Sequence, residues 1–285
     1  MKTLIVGHVT HDRYEEGFVA GGCALYGGLV HQMLADEVHL VTAVGEDFVC
    51  DAAIQELDAT ISRRGETTVF SNLYPDDGPR VQLLDAQGEE IVPQGVPRKW
   101  LEADLVHLAP VLGEVDLKTW KEAVGDGLLA INIQGWIKVG GPEGAGSRRV
   151  IQKPWDVSEE ELWGVDIACL SEEDIIGQGD LLERLVENVP IVALTLGGRG
   201  SRIYVNGWLA EEVGICPTEV VDPTGAGDVF AATFCNGIAS GQDPREAARY
   251  ASAAASIIIE DIGPGAMDRL SEMEERSGLV ESYRE

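Results

Sequence analysis

The feature of this 285-residue chain that most restricts its fold is an alternation of short, unbroken apolar runs with amphipathic stretches of helical length. The runs fall at residues 3–6, 38–44, 105–109, 128–133, 166–170 and 191–196. Uninterrupted hydrophobicity marks a strand covered on both faces, whereas a strand with one wet face alternates apolar with polar. The intervening residues 23–34, 48–57, 173–186 and 226–238 fit helices. This repetition predicts an α/β fold: a doubly wound, mostly parallel central sheet with helices on both faces, binding ligands beyond the carboxyl ends of its strands. The length suits one such domain over residues 1–285.

One segment breaks the alternation. Residues 67–73, T-T-V-F-S-N-L, run into P-D-D-G-P, then a second extended stretch at 80–84 and a further turn at 85–88. That is hairpin chemistry. We expect a small β lid from about residues 13–20 and 66–92, serving either as a plain edge hairpin or as a flap that excludes water. The Gly-rich residues 139–147 lack a following Lys-Ser or Lys-Thr and read as a surface connection.

Composition narrows the partners. A formal net charge of −28 with no basic stripe argues against nucleic acid and against anionic lipid. The N-terminal residues enter a strand-like run without a signal peptide, and no stretch reaches the roughly 18 apolar residues of a membrane span. Five singly scattered cysteines fit a reduced compartment, so a cytoplasmic location is expected. The five histidines, His31, His39 and His107 among them, stand isolated in amphipathic or apolar contexts and read as structural.

The chemistry concentrates in residues 220–241, V-V-D-P-T-G-A-G-D-V-F-A-A-T-F-C-N-G-I-A-S-G, where a Gly-rich turn opens an apolar helix. Gly225 and Gly227 let a ligand approach the backbone, and the free N–H groups of the first turn, with the helix dipole behind them, form an anion cradle. Asp228 lies in that turn, where the dipole favours its ionised form. Phosphoryl transfer needs this pairing: a base for the hydroxyl proton, and donors for charge on the moving phosphoryl oxygens. A structural helix capped by Asp222 or Thr224, with Asp228 merely complementing the dipole, accounts for the turn equally well.

The run D-P-T-G-A-G-D followed by V-F-A-A-T-F resembles the C-terminal motif of the ribokinase-like (PfkB) carbohydrate kinases. The resemblance implies that Asp228 is the catalytic base, that Gly225, Ala226 and Gly227 form the anion hole for ATP, and that Asp222 helps hold a monovalent cation such as K+, as in some members. It extends along the chain. Asp12, in G-H-V-T-H-D, takes the place of a substrate-hydroxyl ligand, where a carboxylate suits vicinal hydroxyls. Gly21 and Gly22 resemble the Gly-Gly motif beside the substrate, although the chain continues C-A-L-Y-G-G, with Tyr26 where many sugar kinases carry Asn. Ser171-Glu172-Glu173-Asp174 stands where the family commonly shows Asn-x-x-Glu, which implies that Asp174 orders Mg2+ through water. Thr195, Gly197 and Gly200 resemble the nucleotide loop. No G-x-x-x-x-G-K-[ST] loop and no zinc-spaced cluster competes with this reading.

The middle of the chain resembles myo-inositol kinases: E-T-T-V-F at 66–70 and A-I-N-I-Q at 130–134, which implies a cyclitol acceptor with Asn132 and Gln134 near substrate or nucleotide. Asn132 stands where those kinases usually have Asp. The expectation is a kinase of a small polyol or sugar, best myo-inositol, with a fructose/ribose-type sugar kinase or a nucleoside kinase of the same fold as alternatives. A catalytically silent ligand-binding relative stands behind these. With so short an interval between Asp12 and Gly21, a monomer is as plausible as a homodimer.

Overall fold

The apolar runs become strands of a nine-stranded sheet in the computed structural model, which describes residues 1–34, 37–73, 81–142 and 146–283. In chain order the strands are β1 (Lys2–Val6), β2 (Thr10–Tyr14), β3 (Gly17–Gly21), β4 (Glu37–Val44) and β5 (Ala59–Arg63). There follow β6 (Val69–Leu73), β7 (Val81–Ala86), β8 (Leu105–Leu108), β9 (Leu128–Asn132) and β10 (Lys138–Gly140). The last are β11 (Arg148–Gln152), β12 (Ile167–Ser171), β13 (Ile191–Thr195), β14 (Ser201–Val205) and β15 (Trp208–Val213). The longer helices are α1 (Cys23–Leu34), α6 (Leu181–Asn188), α7 (Ala226–Ala239) and α8 (Pro244–Ile258). Shorter ones are α2 (Arg98–Leu101), α3 (Leu117–Ala123), α4 (Gln134–Ile137), α5 (Glu159–Leu162) and α9 (Met273–Ser277).

The central sheet runs β15-β14-β13-β12-β9-β8-β1-β4-β5. It is parallel from β13 to β5, with β14 and β15 added antiparallel at one edge. Helices cover both faces, which is why the strands read as continuous apolar runs. Leu4, Val6, Leu129, Ile131, Leu170 and Leu194 point to the face covered by Trp100, Trp120, Leu162 and Leu185. Their alternates Ala130, Ile167, Cys169 and Ala193 point to the other, against Phe230, Phe234 and Ala251 of α7 and α8. Small side chains on this second face let α7 lie close to the sheet, so its N-terminus is held at the strand carboxyl ends.

A second, six-stranded sheet runs β10-β11-β7-β6-β2-β3. It is larger than the hairpin expected from residues 13–20 and 66–92. The flanks of the Gly-rich segment are not a surface connection: β10 and β11 pair with each other, and Arg148 and Arg149 of β11 pair with Leu84 and Leu83 of β7. The turn read at residues 75–79 lies outside the described residues. Two helix boundaries also differ. Residues 48–57 form only a short 3-10 turn at Asp51–Ala53: Ile54 and Leu57 are buried at i, i+3, but Phe48 stands six residues before Ile54, so no continuous helical stripe forms. Residues 173–180 make turns, since Gly177 and Gly179 take positive φ, and the helix begins at Leu181. Among the described residues no helix is long and apolar enough to cross a membrane.

Candidate active site

At the carboxyl ends of β9, β12 and β13 the N-terminus of α7 opens into a cleft of about 340 Å³, and a smaller cavity of about 60 Å³ lies between it and the second sheet. Gly225, Gln134 and Asp228 line both. The turn that makes this possible is local. Asp222 accepts a hydrogen bond from the Thr224 amide (2.9 Å), and Gly225 adopts φ +84° as N-cap. Helix α7 then starts at Ala226, with Asp228 in its first turn. A Cβ on Gly227 would meet no protein atom within 4 Å, so its backbone faces open cleft. First-turn N–H groups and a carboxylate thus share one surface, the Ala226 amide also donating to the Pro223 carbonyl at 3.3 Å.

The smaller cavity brings Asp12, Gly22, Cys23, Gln134 and Asp228 together. Asp12 belongs to strand β2 of the second sheet and is buried. Its Oδ1 accepts from the Thr10 hydroxyl at 3.1 Å, and Gly21, which lacks a side chain, leaves room for the carboxylate. Gln134 opens the short helix α4 directly after β9. Its amide donates to Asp228 Oδ1 (3.1 Å) and Cys23 Sγ (2.5 Å), while its Oε1 accepts from Lys138 Nζ (2.7 Å). Burial and the neighbouring Asp228 charge push the Cys23 thiol up, so it remains protonated beside the carboxylate.

The larger cleft is lined by Asn132, Asp174, Thr195, Gly197 and the α7 turn. Asp174 is buried in a reciprocal cap with Ser171, whose amide donates to Asp174 Oδ2 (2.8 Å). With Glu172 and Glu173 it gives this wall the oxygen ligands a hydrated Mg2+ accepts. Among the described residues no group of three metal-ligating side chains is preassembled.

Asn132 is set by the two histidines that the sequence left isolated. His107 Nε2 bonds Asn132 Oδ1 (3.0 Å) and His107 Nδ1 bonds His31 Nε2 (3.1 Å). Burial pushes His107 down to about 4 and holds His31 low, so both are neutral near pH 7. With Oδ1 taken, the amide nitrogen of Asn132 is the polar atom left for the cleft.

Three expected site residues line neither space: Gly21, which lies against the Asp12 carboxylate, Gly200 and Asp222. Gly200 is buried, and a side chain there would strike the Val213 carbonyl. Its φ of +106° turns the chain from the cleft rim into β14 and its amide donates to the Gly197 carbonyl (3.1 Å), so it does not line the cleft. Asp222 faces donors: Tyr14 Oη donates to its Oδ2 (2.7 Å), and the amides of Thr224 and Gly263 add to them. The carboxylate clamps the second sheet to the anion-cradle loop, and a ring of N–H and O–H donors does not fit a monovalent cation. Among the lining residues that were missed are the polar Thr10, Asn72, Gln82 and Lys138. Their signal is hydroxyl, amide and ammonium groups within apolar extended segments. Asn72 and Gln82 are register partners joined by a 3.1 Å hydrogen bond, and Lys138 follows Gln134 at i+4.

Residues 157–270, which include the α7 turn, match the family model described as pfkB family carbohydrate kinase. Over those residues the chain is similar to the pfkB family of carbohydrate kinases. The chain is 26% identical over 282 residues to a cytidine kinase of Thermococcus kodakarensis, covering 91% of this chain and 96% of that enzyme. It is 27% identical over 286 residues to an inositol 3-kinase of Arabidopsis thaliana, covering 94% and 76% respectively. In fold it matches a pyrophosphate-dependent kinase in the ribokinase family, solved with a pyrophosphate analog and myo-inositol, with a TM-score of 0.74 and 19% identity over 94% of this chain and 99% of that one.

Proposed function

We propose that this chain is a kinase of the pfkB type that transfers the γ-phosphoryl group of ATP to a hydroxyl of a small cyclitol or sugar, with myo-inositol the first acceptor to try. The observation that carries the reading is the position of Asp228 at the junction of the two cavities, beside the Gly225–Gly227 amides. ATP phosphates would lie in the larger cleft with the γ-phosphoryl group at those amides, and the acceptor would occupy the smaller cavity. Asp228 takes the hydroxyl proton, the acceptor oxygen bonds to phosphorus, and the bond to the β-phosphate bridging oxygen breaks, leaving ADP. Mg2+ ordered by Asp174 would supply neutralising charge on the donor phosphates. Lys138, held beside Asp228 through Gln134, adds a cation on the acceptor side, and Asn132 offers its amide on the donor side.

The polar lining of the smaller cavity favours a polyol. Asp12, Asn72, Gln82 and Lys138 suit several hydroxyls, whereas a nucleobase needs an aromatic face; of the two aromatic lining residues, Tyr26 already uses its ring against Gly225 and Phe70 is buried in the core of the second sheet. A nucleoside acceptor is the second reading, favoured by the full-length similarity to a cytidine kinase. The test is product release with Mg-ATP, and with pyrophosphate as alternative donor, against myo-inositol, other cyclitols, ribose, fructose and cytidine. Turnover confined to cytidine would select the second reading. Silence with every acceptor would leave a binding protein.

Asp12→Ala gives a sharper check on the acceptor's place. Loss of a charged acceptor for one or two hydroxyls should raise acceptor KM by about ten- to a hundredfold, with donor KM changed by less than about twofold. An unchanged acceptor KM would remove Asp12 from the acceptor site.

A further inference from the structure

Behind Asn132 lie two titratable side chains that take no part in phosphoryl transfer: His31 on α1 and His107 on β8, both 0% exposed. Their hydrogen bonds have a direction that chemistry fixes. Asn132 Oδ1 only accepts, so the His107 Nε2 that meets it at 3.0 Å carries the proton. A neutral imidazole has one N–H, so His107 Nδ1 accepts and the His31 Nε2 at 3.1 Å donates to it. Burial keeps both rings neutral, with the neighbouring imidazole adding to its effect at His31. His31 Nδ1 is left with a bare lone pair, and it has no hydrogen-bond partner among the described residues. That orphan atom sets the polarity of the relay. With the Asn132 amide turned over, Nδ2 would donate to His107 Nε2, both tautomers would reverse, and His31 would bury an N–H on Nδ1 without an acceptor. A buried N–H without a partner is tolerated less well than an unfilled acceptor, so the observed direction is favoured.

Asn132 ends β9 and lines the larger cleft with Thr195, Gly197 and the α7 turn. With Oδ1 turned inward to His107, Nδ2 is the donor on the cleft side. We propose that His31 and His107 are positioning residues, which lock the Asn132 side chain so that its Nδ2 donates to a phosphate oxygen of bound ATP. The inference rests on the reading that ATP phosphates occupy the larger cleft. It adds a neutral side-chain donor to the Gly225–Gly227 amides, and it accounts for a polar relay kept in the interior with one nitrogen unsatisfied.

Two measurements test this. Multiple-bond proton–nitrogen NMR of the imidazoles in the ligand-free protein, which has five histidines, should find His31 and His107 as neutral Nε2–H tautomers. A proton on His107 Nδ1 would turn the Asn132 amide over and overturn the proposal. The second is calorimetry of Mg-ATP binding to the parent, Asn132→Ala, His107→Leu and the double variant. Each single substitution should weaken binding at least about tenfold, the effect of losing one hydrogen bond to a charged group. The double variant should bind no more weakly than Asn132→Ala, because His107 acts only through that amide. Unchanged affinity in either single variant, or losses that add in the double variant, would overturn the proposal. The tautomers and Asn132→Ala decide it even where His107→Leu fails to fold. A parent that binds Mg-ATP yet phosphorylates no acceptor fails as a kinase, while the same cycle still supports or overturns the relay. A parent that does not bind Mg-ATP overturns both.

Discussion

Asp228→Asn is expected to lower kcat by about three to four powers of ten while leaving the protein folded and its donor affinity intact. The size follows from the role: general base catalysis contributes roughly 10²–10⁴, or about 3–5 kcal/mol at 1.36 kcal/mol per tenfold. The selectivity follows from the geometry. An asparagine oxygen still accepts from the Gln134 amide that meets Asp228 Oδ1 at 3.1 Å, so the side chain keeps its orientation. The Gly225–Gly227 amides are untouched, and loss of a negative charge beside the donor phosphates cannot weaken their binding. Single-turnover and steady-state rates with the best acceptor, together with donor binding by calorimetry, distinguish the cases. A kcat within about tenfold of the parent would mean that another group takes the proton. A parallel loss of donor affinity would mean that Asp228 acts mainly by shaping the turn.

This result is foreseeable from sequence because the α7 turn is a local object. Its cap, positive-φ glycine and first-turn carboxylate fall within a few residues of one another, and the apolar runs that become the parallel strands are local in the same sense. The smaller cavity is not. Tyr26, Asn72, Gln82 and Lys138 come from α1, β6, β7 and β10, and only the pairing of the second sheet brings them together. That pairing depends on β10 and β11, whose flanking glycines read as a loop. His31 and His107 each appear as a lone polar residue in an apolar run, and the relay in which His31 bonds His107 and His107 bonds Asn132 requires α1 to lie across β8. Gly200 shows the opposite error. It sits in the same glycine cluster as Gly197, but the chain turns between them, leaving one at the cleft and the other under β15.

Gly225→Ala is expected to remove most activity together with part of the stability, and comparison with Gly227→Ala separates the two effects. Gly225 holds φ +84°, where an L-residue loses about 1–2 kcal/mol, and an added Cβ would stand 2.5 Å from Tyr26 Cε1 and 2.6 Å from Cζ. Tyr26 is fully enclosed, so relief requires either the ring or the loop to move, and overpacking of this kind adds roughly 1–3 kcal/mol. The combined loss of about 2–5 kcal/mol should appear as a lower denaturation midpoint. Because the displaced loop carries the first-turn amides, kcat/KM should also fall by about 10²–10³, the effect of losing an anion-stabilising donor. At Gly227 the φ is not positive and a Cβ meets no protein atom, so Gly227→Ala should melt with the parent and lose activity only through the methyl group standing where the phosphoryl oxygens approach. Equal destabilisation by the two substitutions would show that the turn does not depend on the left-handed glycine. Full activity in Gly227→Ala would place the phosphoryl group away from these amides, and with it the base assigned to Asp228.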